Sequence, residues 1–103
     1  MNQSTEKKTD PSDGLEVIRS RACALPFADE NYIPPTSEEV RLLISAAGWS
    51  QREAAMIVGV SYSIQKGSPT IRKWKSPVGT ASHREIPYAS WRLFLIHAGC
   101  DRS

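Results

Sequence analysis

The sequence predicts an all-α protein, a compact domain of four to five short helices. Three observations carry that expectation. Thr36-x-x-Glu39 and Ser50-x-x-Glu53 both have the form of a capping box, in which a hydroxyl and a carboxylate bond two helix amides that have no partner within the helix. Behind the caps, apolar residues recur at the three- and four-residue intervals of one helix face. The periodic stretches stop at Gly48, Gly59 and Gly99, where glycine supplies the left-handed conformation of a helix end.

Taken in order, residues 1–13 are polar with almost no apolar content and are expected to form a disordered tail. Residues 14–35 form an N-terminal arm. Leu15, Val17, Ile18 and Ala22 suit either one short helix or an extended segment, and the helix is the expectation. Pro26, Pro34 and Pro35 fence off a loop around Phe27, Tyr32 and Ile33, so the main domain is placed at residues 36–103. Its first helix starts at the Thr36 cap and carries the stripe Val40, Leu43, Ile44 and Ala47. A second helix follows the Ser50 cap, with Trp49 as a staple on its first turn and Ala54, Ile57 and Val58 facing inward. Residues 61–68 are rich in turn formers. Ser68 then caps a third helix with Pro69 at its first position, and Ile71 and Trp74 share a face. After a polar loop, Thr80–Glu85, a last helix opens with Pro87 in its first turn. Tyr88, Trp91, Phe94, Leu95 and Ala98 lie on one of its faces, and Ala89, Leu93 and Ile96 on another.

Of the 103 residues, the first 35 hold four Lys/Arg against six Asp/Glu, while residues 36–103 hold nine against five. Residues 62–84 carry Lys66, Arg72, Lys73, Lys75 and Arg84 with no acid at all, a local patch that attracts phosphate whatever the net charge. Cys23 and Cys100 lie far apart and show no metal-ligand spacing, and neither His83 nor His97 has a partner at such spacing. No metal and no cofactor is expected. No phosphate-binding glycine loop and no carboxylate pair in a plausible pocket is present, so catalysis has no positive support and the chain is not expected to be an enzyme. Met1–Lys8 is polar with no apolar stretch after it, and Leu93–Ile96 is too short to span a membrane, so a cytoplasmic protein with reduced thiols is expected.

Helix, turn and positively charged helix is the layout of a helix-turn-helix DNA reader. Trp49-Ser50-Gln51, Ala54-Ala55, Gly59 and Thr70-Ile71-Arg72-Lys73-Trp74 fill successive slots of a known pattern. Over residues 36–75 the chain resembles the Cro/phage-repressor (XRE-type) helix-turn-helix family, which implies a lambda-repressor-like fold. It departs from the pattern in the insertion Tyr62–Gly67, which must bulge out, lengthen the turn or extend the recognition element. It departs also in Pro69, which stands where a base-reading polar residue often sits, and in Lys75, which replaces an acid. The resemblance implies that Gln51, at the start of the second helix, contacts a DNA phosphate and fixes register. Thr70 and Lys73 point away from the Ile71/Trp74 face and are assigned with Ser68 to base contacts, lysine being a donor to guanine O6/N7. Arg72, Lys75 and Lys66 are assigned to phosphates.

The expected function is a sequence-specific regulator of transcription that binds double-stranded DNA, a repressor acting by operator occupancy. By family association it belongs with mobile elements. A homodimer is expected through Ala89, Leu93 and Ile96, which the first face of the last helix leaves over. The competing arrangement is an N-terminal segment folded back over that patch through Leu15, Ile18 and Phe27. A protein partner could use residues 14–35. Two other readings share the fold: the antitoxin of a toxin–antitoxin pair, and a protein-interaction module that has lost DNA binding.

Overall fold

The computed structural model describes residues 11–102. Their regular structure is helical apart from one isolated antiparallel bridge, Ser63 to Gly67. The helices are α1 (Pro11–Arg19), α2 (Ser37–Ala47), α3 (Gln51–Val58), α4 (Pro69–Lys75) and α5 (Tyr88–Ala98), with a 3-10 turn at Ala22–Ala24. The chain is all-α, as expected. Of the expected tail, residues 1–10 lie outside the described residues, and Pro11–Asp13 form the first turn of α1.

Both capping boxes form. The Glu39 and Glu53 amides donate to the Thr36 and Ser50 hydroxyls at 3.1 Å, and the carboxylates accept from the cap amides at 2.9 and 2.8 Å. Gly48 and Gly59 close α2 and α3 at φ 76° and 79°. Pro87 stands one place earlier than expected. It caps α5 rather than opening its first turn, in extended backbone whose carbonyl accepts from Trp91 N at 3.0 Å.

Helices of seven to eleven residues do not persist alone in water, so a shared core must hold them. Trp91, Phe94 and Leu95 of α5 are fully buried at its centre, against Val40, Leu43 and Ile44 of α2, Ala54 and Ala55 of α3, and Ile71 and Trp74 of α4. Trp74 meets Phe94 nearly edge-on, at 6.3 Å between centroids and 76° between planes. Trp49 packs on Phe94 at 5.5 Å, so the staple residue ties α3 to α5. Full burial of each Val, Leu, Ile or Phe among them contributes roughly 1.5–3 kcal/mol.

The N-terminal segment adds Ile18, Cys23 and Ala24 to this core. α1 lies along α2 at a very close approach, where a Cβ on Gly14 would stand 2.7 Å from the Ala46 Cβ. The indole N–H of Trp91 donates to the Cys23 carbonyl at 2.7 Å, and Arg21 pairs with Glu39 at 3.0 Å. Burial, reinforced by the Glu39 carboxylate, pushes the Cys23 thiol up to about 12, so it stays protonated at ordinary pH. Phe27 is 65% exposed and sits with Tyr32 and Tyr88 in an outer aromatic cluster. Tyr88 is therefore half-buried there rather than in the core, its hydroxyl accepting from Phe27 N at 3.1 Å and Arg92 Nε at 3.0 Å. With the segment seated in this way, Ala89, Leu93 and Ile96 stay exposed.

Candidate nucleic-acid interface

The starts of α3 and α4 meet at one side chain. Gln51 is the first residue of α3, and its Oε1 accepts from the backbone N–H of Ser68, the cap of α4, at 2.9 Å. The same oxygen accepts from the Arg72 guanidinium at 3.2 Å. Ser68 completes the junction by accepting Ile71 N–H on its hydroxyl at 3.3 Å.

The insertion between these helices is a small hairpin. Ser63 N donates to Gly67 O at 2.8 Å, Gly67 N returns a bond to Ser63 O at 3.0 Å, and Lys66 N donates to Ser63 Oγ at 2.9 Å. Gly67 has φ 73°, and a Cβ there would fall 2.2 Å from Gln51 Oε1. Only glycine suits both the turn and the contact. Arg72 also donates to the Lys66 carbonyl, so one arginine fastens the hairpin to α4, while Gly67 lies directly against the Gln51 side chain of α3. The result is an open cleft of about 440 Å³, lined by Ser50, Gln51, Arg52, Ile64, Lys66 and Arg72 with the hairpin's Ser63 and Gly67. It has three cations and no carboxylate in its wall, and the start of α3 opens onto it, an arrangement that favours anions.

The other end of α4 is closed by its neighbours. A helix leaves its last carbonyls without intrahelical partners. Here Lys73 O accepts from Ser76 N at 3.3 Å and Arg84 N at 3.1 Å, and Arg72 O from the Ser76 hydroxyl at 2.9 Å. Lys75 O accepts from Arg41. His83 Nδ1 lies 2.8 Å from Ser76 O, and since a carbonyl only accepts, Nδ1 carries the proton. α4 is short but held at both ends.

The expected site residues fall into distinct places. Gln51, Lys66 and Arg72 line the cleft, Lys66 and Arg72 exposed and Gln51 half-buried behind its internal bonds. Lys73 is exposed on the adjoining surface beside Pro69 and Ser76, and Thr70 is half-buried. Lys75 lies apart from the cleft and is half-buried. The base-contact role expected of Ser68 is corrected. Its side chain is 0% exposed and occupied in capping α4, so it reaches no base edge. Arg52 and Ile64 escaped the sequence reading. Arg52 left a local signal, a cation in the first turn of a helix where the helix dipole disfavours it. Ile64 left none, because only the hairpin's placement brings it to the cleft.

Among the described residues, no group of three or more His, Cys, Asp and Glu is placed to hold a metal ion, and no helix is long and apolar enough to cross a membrane.

Comparison with known proteins adds what geometry cannot. Two curated relatives, each a transcriptional repressor protein KorC from Escherichia coli, are 36% and 37% identical to this chain over 70 residues. Those residues are 68% of this chain and 73% of each relative. The chain belongs to the KorC family of transcriptional repressors. No protein-family model matches it, and no solved structure matches it. For this KorC-family chain, therefore, the fold and the cleft are read from its own structure.

Proposed function

We propose that this protein represses transcription by occupying a specific duplex site, using α3 and α4 as a helix-turn-helix of the XRE type. The observation that carries the reading is the acid-free cleft where the starts of α3 and α4 are locked together, in a member of a repressor family. In this arrangement α4 lies in the major groove, with Lys73 and Thr70 at base edges. Lys66, Arg72, Lys75 and Arg52 meet phosphates, and Gln51 sets the distance between the two helix starts while its remaining amide group faces the backbone of the duplex. Repression follows from occupancy, because bound protein and polymerase compete for the same DNA.

One helix-turn-helix contacts too few base pairs to single out a site, so the reading includes a two-fold homodimer. Its surface is the outer face of α5, where Leu93 is 38% and Ile96 51% exposed beside Ala89. Met56 of α3, 61% exposed, adds apolar area across a cleft shared with Trp49, Glu53, Ile57 and His97. A protein partner acting through residues 14–35 would meet exposed Phe27 and Ile33 instead, on a different part of the molecule.

Selection of bound duplexes from a random pool tests the function. The expected product is an inverted repeat with half-site centres about 34–36 Å apart. Recovery of no enriched sequence overturns the reading.

A further inference from the structure

The hairpin carries an unexplained apolar tip. Ile64 is 83% exposed, the most exposed large hydrophobic side chain among the described residues. The hairpin is held by backbone bonds, the Ser63 hydroxyl and Arg72, with Gly67 against Gln51, and none of these bonds involves the Ile64 side chain. With so little of its area buried, folding gains little from an isoleucine there, while water penalises it. Its neighbours are Lys66, Arg72 and Arg52, and residues 62–84 contain no acid, so the surface around it suits a polyanion and disfavours a basic or purely apolar protein face.

The first turn of α4 sharpens the question. Pro69 has no donor and Ser68 is buried, so the start of the helix presents few groups to a base. The hairpin stands beside that start. The major groove admits a two-stranded ribbon as well as a helix, and the apolar group it offers is the thymine 5-methyl.

We propose that Ile64 is a specificity-determining residue that packs on a thymine methyl in the major groove, next to the base pairs reached from Thr70 and Lys73. The proposal rests on the DNA-binding reading above. It makes the insertion a second reading element, carried into the groove with α4 and held in register by Gln51 and Arg72.

A double-mutant cycle tests it. Wild type and Ile64→Ala are each measured on the selected duplex and on duplexes in which single thymines are replaced by deoxyuridine, which removes only the methyl. At one position in each half-site, the replacement weakens wild type by about fourfold, the worth of one buried methyl, and leaves Ile64→Ala unaffected. Ile64→Ala keeps its melting temperature. If every replacement acts equally on both proteins, or if Ile64→Ala loses affinity equally on thymine and uracil duplexes, the proposal is overturned while the function stands. If wild type binds no duplex at all, the DNA-binding reading fails first and the proposal with it.

Discussion

Gln51 joins folding to function, and two substitutions separate its roles. In Gln51→Ala the backbone N–H of Ser68, partly buried, loses its acceptor, and Arg72 loses one of the two acceptors that fasten the hairpin. An amide left unbonded in such a place costs roughly 1–3 kcal/mol, and the exposed arginine bond adds little, so the total is about 2 kcal/mol. For a domain of this size that lowers the melting temperature by roughly 8–16 °C. Gln51→Glu keeps an oxygen acceptor for both donors, makes the bond to Arg72 charge-assisted, and puts a negative charge at a helix start where the dipole welcomes it. Its melting temperature should match or exceed that of the parent. Its affinity for DNA should fall, most at low salt, because a carboxylate now faces phosphate. Thermal unfolding by circular dichroism and duplex binding by fluorescence anisotropy read the two effects. A Gln51→Ala protein that melts with the parent refutes the junction described here. A Gln51→Glu protein that binds duplex as tightly as the parent refutes the placement of DNA beside it.

Four further outcomes are expected. Trp74→Ala removes a side chain that is 5% exposed and edge-on to Phe94, and should cost roughly 3–5 kcal/mol in chemical denaturation; an unchanged midpoint means that Trp74 does not anchor α4. Lys73→Ala should relax base preference by about 1–3 kcal/mol at one position, whereas Lys75→Ala should weaken all duplexes alike and flatten the salt dependence. Identical behaviour of the two variants contradicts the orientation of α4. Leu93→Glu with Ile96→Lys should convert a dimer to a monomer in mass measurements, and a parent already monomeric at high micromolar concentration removes this interface. The Cys23 thiol is raised by burial, so its protonated form favours the fold: that contribution is whole below the ordinary value of 9.0 and is lost as pH climbs toward about 12. Alkylation of Cys23 at pH 8 should accordingly wait for unfolding, and rapid labelling of native protein contradicts its burial.

What the sequence made legible was whatever local chemistry decides. The capping boxes at Thr36 and Ser50, the glycine ends of α2 and α3, and the Ser68-Pro69 start of α4 each depend on a few adjacent residues, and each forms as read. The shared face of Ile71 and Trp74 follows from helical spacing and is buried. The hairpin was out of reach because residues 61–67 permit several turns, and the choice among them is made by Gln51 and Arg72 from other elements. Ser68 misled for a related reason. A serine at a helix start serves equally as a cap or as a surface donor, and only the packing of α4 beneath it decides. The fit of the N-terminal segment against α2 was similarly invisible, since Gly14 reads as a weak helix residue until Ala46 and Leu42 are placed against it.

The central claim is that this cationic junction binds a particular duplex. The most direct measurement is the affinity of the full chain for the selected duplex and for a scrambled one, each followed across salt concentration. Every phosphate neutralised contributes a slope of about −0.9 in log affinity against log salt, so both duplexes should show a steep decline. The selected duplex should stay ahead of the scrambled one throughout. Affinity that barely responds to salt, or that is equal for the two duplexes, contradicts the account.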